Sequence, residues 1–292
     1  MRRSLVLLLA AVLAFVAAGC GGSDSSSSSS GTTTSTSCER ADLKLVNGNR
    51  LTVGTDNPAF PPWFGGAEKA PWKVSNPASG EGFESAVAYA VALRLGINKP
   101  EVDWIVVPFN TSFAPGPKKF DFDINQISFK PARAKAVAFS NSYYDVNQSL
   151  VVVKGTKIAS ATSIADLKPY KLAAQIGTTS YDFIKDTIQP SKQPAVFDTN
   201  DAAVQALKNK QVDGLVVDLP TAFYVTAVQV PNAKILGQFE STTGEHFGMV
   251  FAKGNPLVKC VNQALAGLKA DGSLKRIQDR WLSRVVAAPV LK

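Results

Sequence analysis

The chain has 292 residues, 45% hydrophobic and 18% charged, with a formal net charge of +8. That balance belongs to a globular protein with a real core, and it excludes a disordered or collagen-like chain. The basic residues are scattered, with no Lys/Arg run and no basic stretch interleaved with aromatics. The excess charge therefore reads as solubility or loose attraction to an anionic surface, and not as nucleic-acid binding.

Residues 1–19 read as a targeting segment: Arg2 and Arg3 supply a positive start, and 4–18 is almost wholly apolar. The apolar run is shorter than a membrane span needs. The run Ala17-Ala18-Gly19-Cys20 resembles a bacterial lipobox, with Ala17 where Leu is usual. Cys20 would then become the lipidated first residue, and two or more acyl chains would hold the protein at a membrane surface. A plain secretory signal that happens to contain a Cys is the alternative. Loss of Arg2 and Arg3 takes the charge to about +6. Residues 20–40 are a Ser/Thr-rich tether with almost nothing apolar to bury, reaching on the order of 20–25 Å. With Cys20 set aside, Cys38 and Cys260 remain outside the reducing cytoplasm, and a disulfide between them is expected over two free thiols. Neither has the spacing of a zinc site or a redox pair, and no metal or cofactor is expected.

From there strands alternate with helices, which predicts an α/β architecture. Residues 51–55 form a first strand, followed by a loop at 56–64 dense in Pro and aromatics. Residues 83–95 are helical, stopped by Gly96. Strands follow at 102–107 and at the start of 120–140, where Phe120, Phe122 and Ile124 alternate with Asp121, Asp123 and Asn125. Further strands are expected at 150–153, 171–176, 212–217 and 247–252. Helices are expected at 163–167, 179–188, 201–208 with Asn200 as cap, after Asn255-Pro256, and from Ser273.

Four places carry chemistry. Pro131 suits a first helical turn, and Arg133 lies just inside it, five residues after Ser128; a strand end would thus offer a hydroxyl and a guanidinium to one small anion. The step from Gln175 through Gly177 to Thr178 and Thr179 is strand, glycine, helix start, an anion site if not merely a capped helix. It lacks the GK[ST] of a phosphate loop. Asp218 ends an apolar strand, where α/β sheets place ligands, and it could hold an ammonium or simply face solvent. Phe60, Trp63 and Phe83 offer flat faces that either sandwich a ligand or fill the core.

Taken in order, these residues resemble the polar amino-acid-binding family of ABC-transporter extracytoplasmic solute-binding proteins, the type 3 bacterial solute-binding domain, in its lipoprotein form. The likeness runs from about Leu51 to Trp281. It rests on Gly54-Thr55-Asp56, Pro61-Pro62-Trp63, Gly82-Phe83-Glu84, Ile127-Ser128 with Pro131 and Arg133, residues 138–144, 175–179 and 213–218, and the ending 268–281. The resemblance implies a periplasmic-binding-protein-like clamshell: two lobes joined by two crossover strands, near 147–151 and 240–247. Lobe 1 would comprise 41–147 and 244–292, and lobe 2 would comprise 148–243. It further implies that Arg133, Ser128, Thr178 and Thr179 take a ligand α-carboxylate, that Asp218 takes its ammonium, that Phe60 and Phe83 lie against it, and that Asp56 borders the side-chain pocket. The ligand would be an amino acid or similar zwitterion, the partner a membrane permease, the location the outer face of the cytoplasmic membrane, and the protein no enzyme. Two departures stand out. The second acid expected after Phe83 is missing, and Lys130 replaces the usual Thr before Pro131. Lys130 would favour an acidic ligand side chain and Asp56 a basic one. Residues 65–80, with Trp72, form a longer loop expected to shape the pocket mouth. The rivals are a dehydratase-like enzyme on the same fold, for which His246 is the lone histidine, and a ligand-sensing module.

Overall fold

The structure is a computed structural model and describes residues 37–240, 244–282 and 288–292. The expected signal segment, Cys20 and most of the tether lie outside the described residues. In chain order the first strands are β1 (Leu51–Thr55), β2 (Val102–Val106), β3 (Phe122–Asp123), β4 (Val137–Phe139), β5 (Tyr144–Asp145) and β6 (Gln148–Val153). There follow β7 (Leu172–Gln175), β8 (Ala195–Phe197), β9 (Gly214–Asp218), β10 (Ala233–Phe239), β11 (His246–Phe247) and β12 (Val250–Ala252). The helices are α1 (Phe83–Arg94), α2 (Phe109–Ser112), α3 (Pro131–Ala134), α4 (Thr179–Phe183), α5 (Asn200–Lys208), α6 (Leu219–Tyr224), α7 (Leu257–Ala270) and α8 (Ser273–Leu282).

Two five-stranded sheets organise the chain as two lobes. The first has the order β2-β1-β3-β12-β4, and the second β10-β6-β9-β7-β8. β1 is buried along its whole length between parallel partners β2 and β3, so it reads as an unbroken strand and not as an alternating one. Against this sheet packs α1, burying Phe83, Val87, Ala88, Val91 and Ala92. Its N-cap is Gly82 at φ 91°, where a Cβ would fall 2.4 Å from the Phe64 Cα; a side chain there has no room. In the second sheet β6 lies fully buried between β9 and β10, antiparallel to both.

The chain crosses between the sheets after β5, at 146–147, and is back beside the first sheet by β11. Beside these crossings β5 pairs antiparallel with β11, His246 opposite Asp145 and Phe247 opposite Tyr144. The expected first crossover, near 147–151, overlaps this connection only at Asn147, its other residues belonging to β6. This is the type II periplasmic-binding clamshell. Its first lobe is stapled by a disulfide joining Cys38 to Cys260 of α7, with Cα atoms 5.3 Å apart.

Several sequence expectations need correction. The acids alternating along 120–125 do not face solvent: Asp121 accepts hydrogen bonds from the Thr52 and Val46 amides, each at 2.7 Å, and Asp123 is fully buried. Only Phe122–Asp123 joins the ladder, between β1 and β12. Helix α5 starts one residue early, capped by Thr199, whose hydroxyl accepts from the Ala202 amide. Residues 179–188 split into α4 and a π-helical turn, Ile184–Ile188. The end of the chain, assigned from sequence to lobe 1, lies on the second sheet: Leu291 donates its amide to the Gln238 carbonyl at 2.9 Å and is buried among Leu236, Phe239 and Ile188. Gly237 permits this, since a Cβ there would meet the Leu291 side chain at 2.6 Å.

Candidate functional site

A cavity of about 240 Å³ opens between the lobes, lined from both. Cavities for drug-sized ligands run to about 300–1,000 Å³, so this one suits a single small molecule. Of the residues singled out from sequence, Asp56, Phe60, Ser128, Arg133, Thr178, Thr179 and Asp218 all line it. Phe83 does not. It is fully buried behind the cavity wall, with ring centroids 6.0 Å from Trp63 and 5.4 Å from Tyr144. As the first residue of α1 its side chain turns onto the sheet, and Trp63, packed in front of it, supplies the aromatic lining instead.

Arg133 is held inside α3, only 7% exposed. Its Nη1 donates to the Ser128 carbonyl at 2.6 Å and its Nη2 crosses the cleft to the Gly177 carbonyl at 2.7 Å. The guanidinium carbon lies 4.3 Å from the Phe113 ring centroid and 5.6 Å from that of Phe109. Burial pushes the Arg133 pKa down to about 10, so it remains a cation at neutral pH.

On the facing wall, Asp218 ends β9. Burial, and then the charge of Glu245, push its carboxyl well above the ordinary range, against one stabilising hydrogen bond from Gln148. That bond runs 2.8 Å from Gln148 Nε2 to Asp218 Oδ1, and the same nitrogen lies 3.2 Å from both Glu245 oxygens. The Gln148 carbonyl oxygen accepts from the Ser180 hydroxyl at 2.6 Å. Ser128 donates to Glu245 Oε1 at 2.6 Å and sits 3.3 Å from the Thr179 hydroxyl oxygen. Gln148 and Glu245 thus tie both walls to the crossings. Neither was found from sequence: a Gln opening an apolar strand and a Glu in a polar loop carry no local signal.

Asp56 follows β1 and accepts the Asn57 amide at 2.8 Å and the Phe109 amide; burial raises its pKa. Residues 65–80 support this corner and do not line the cavity. Asn57 clasps them, donating to the Pro71 carbonyl at 2.9 Å and accepting the Lys73 amide at 2.9 Å. Trp72 is buried in the lobe 1 core. Lys130 does not line the cavity either; it forms an ion pair across the cleft with Asp182. His246 stacks on Phe129 with centroids 5.7 Å apart, away from the lining. Behind the lobe 1 wall Glu84 accepts from the Gln126 amide at 2.7 Å and from Tyr143, and burial lifts its pKa to about 7. The lobes also meet through Trp63 Nε1, 3.0 Å from the Thr221 hydroxyl, and through the Phe60 and Tyr224 rings at 5.9 Å. Among the described residues no cluster of His, Cys, Asp and Glu that could hold a metal ion was found.

A hinged pair of lobes meeting over one small cavity, with a cation on one wall and a carboxylate on the other, defines a solute-binding protein of the clamshell class. Residues 51–284 match the family described as bacterial extracellular solute-binding proteins, family 3, and the chain belongs to that family. It is 30% identical over 214 residues to the glutamine-binding protein of a Bacillus subtilis ABC transporter, covering 72% of this chain and 76% of that one. It is 29% identical over 169 residues to ABC transporter arginine-binding protein 1 of Escherichia coli, covering 56% and 67%. Among solved structures, an ancestral arginine-binding protein bound to glutamine superposes with a TM-score of 0.65 at 32% identity, over 80% of this chain and 97% of that chain. Each of these relatives is named as a binding protein.

Proposed function

We propose that this protein captures a free amino acid in the interlobe cavity and delivers it to an ABC importer. The observation that carries the reading is that Arg133 and Asp218 line opposite walls of one interlobe cavity. Arg133, with Ser128, Thr178 and Thr179, takes the α-carboxylate, and Asp218 takes the ammonium. Phe60 and Trp63 lie along the ligand, and Asp56 borders its side chain. A micromolar complex needs only about −8 kcal/mol, within reach of two charge-assisted contacts made in a cleft that closes around them.

The same reading takes 1–19 as the signal segment and Cys20 as the lipidated residue, so that the domain sits tethered on the outer face of the cytoplasmic membrane beside its permease. Lobe 1 is then 41–147 with 244–282, and lobe 2 is 148–243 with the terminal 288–292. Lipid labelling of wild type against Cys20→Ser tests the anchor; equal labelling of both would remove it.

Titration calorimetry of the purified protein, freed of bound solute by unfolding and dialysis, against the standard amino acids tests the binding reading. Saturable binding of one or a few, lost in Arg133→Ala, is the expected result. Unchanged binding by a folded Arg133→Ala protein would refute the assignment of the carboxylate site.

A further inference from the structure

The cavity walls carry more carboxyl groups than a neutral zwitterion can answer. Three carboxylates line it, from Asp56, Asp201 and Asp218, against one cation, Arg133. None of the four enters a salt bridge among the described residues. Lys130, the residue that would argue for an acidic ligand, is held by Asp182 outside the cavity lining. A ligand α-carboxylate answers Arg133 and its ammonium answers Asp218. Asp56 and Asp201 are left over, one on each lobe.

Asp201 lies in the first turn of α5, with its Oδ1 accepting from Gln229 Nε2 at 3.2 Å. Its charge is felt by Tyr224, whose ring faces Phe60 across the cleft. The pair of rings and the two acids therefore belong to the same cavity. Asn125, 6% exposed, also lines it, and its Nδ2 has no partner among the described residues. Buried polar atoms are nearly always satisfied, so a polar ligand has a further group to meet there. Flat aromatic faces beside carboxylates are the surroundings in which a planar cation is held.

We infer that the bound amino acid carries a cationic side chain, and that Asp201 of lobe 2, with Gln229 and Tyr224, forms the subsite that selects it together with Asp56 of lobe 1. This rests on the reading of the cavity as an amino-acid site. Asp201 is then a specificity residue that engages the ligand only when the lobes meet.

The test compares arginine and lysine with citrulline, the neutral isostere of arginine, and with glutamine, by calorimetry on the purified protein and on Asp201→Asn and Asp201→Glu. The expected result is tighter binding of a cationic amino acid than of citrulline by roughly tenfold or more, a preference reduced about tenfold in Asp201→Asn and partly restored in Asp201→Glu. Thermal melting of each variant without ligand establishes that it folds. Equal affinity of the wild type for arginine and citrulline would overturn the cationic assignment while leaving amino-acid binding intact. A preference for arginine that survives in a folded Asp201→Asn protein would remove Asp201 from the subsite. No binding of any amino acid would overturn the amino-acid reading itself.

Discussion

On the lobe 1 wall the Arg133 guanidinium rests against two carbonyl oxygens and two aromatic rings, all neutral. On the lobe 2 wall Asp218 shares a single amide donor, Gln148 Nε2, with a second carboxylate, Glu245. The Arg133 guanidinium thus has neutral partners on both lobes, the Ser128 carbonyl on lobe 1 and the Gly177 carbonyl across the cleft. The lobe 2 acid has a raised proton affinity and gains most when a cation arrives. The contrast extends to construction: lobe 1 is closed by the Cys38–Cys260 bridge, while lobe 2 is fastened by a few residues near the chain's end against β10.

The sharpest break of this contrast is to remove one charge at a time. Arg133→Ala is expected to cost about 4 kcal/mol of binding, roughly a thousandfold in Kd by calorimetry, because the ligand carboxylate is left buried and unpaired. Asp218→Asn should cost less, since the neighbouring Glu245 still supplies negative charge. An equal loss in both variants would refute the asymmetry of the two walls.

Next comes the bridge. Cys38→Ser/Cys260→Ser should lower stability by about 3 kcal/mol in denaturant melts, with the loss confined to lobe 1 in hydrogen exchange. Uniform loss of protection would mean that the lobes unfold as one.

The acid behind the lobe 1 wall gives a pH test of similar or smaller size. Glu84 has a folded pKa of about 7, raised by burial from its ordinary 4.5, so the folded state binds its proton more tightly. The associated stability is complete below about pH 4.5 and is lost as pH rises towards 7. Glu84→Gln should flatten that decline and recover up to about 3 kcal/mol at neutral pH, read from melts between pH 4 and 8. A wild type whose stability does not fall over that range would contradict the buried-acid account.

The smallest effect belongs to the pair that spans both lobes. Lys130 and Asp182 are each about a third exposed (32%). Lys130→Thr should weaken ligand binding by no more than about fivefold, with the difference disappearing in high salt. A larger effect that persists in salt would return Lys130 to the ligand's own contacts.

Much of the frame can be read along the chain because it is local. The apolar run of β1, the Gly96 stop after α1, the Pro131 start of α3 and the strand ending in Asp218 each depend on a few neighbouring residues. The motif order through Arg133, Thr179 and Asp218 likewise pointed to one cleft. What misled was burial on both sides. The alternating acids at 121 and 123 mimic a solvent-facing strand, and Phe83 mimics an exposed aromatic at a helix start; the layers covering them are built from distant sequence.

The composition and periodicity of this chain determined an α/β protein with a pair of Cys, Cys38 and Cys260, and a cation and an acid at strand ends. Only the tertiary structure decided that Phe83 lies behind Trp63, that Gln148 and Glu245 join the walls, that Lys130 is bound to Asp182, and that Asp201 reaches the cavity. The reason is physical. Secondary structure and capping are set by groups a few residues apart, whereas the occupants of a cleft are chosen by which surfaces two lobes, crossing twice, bring face to face.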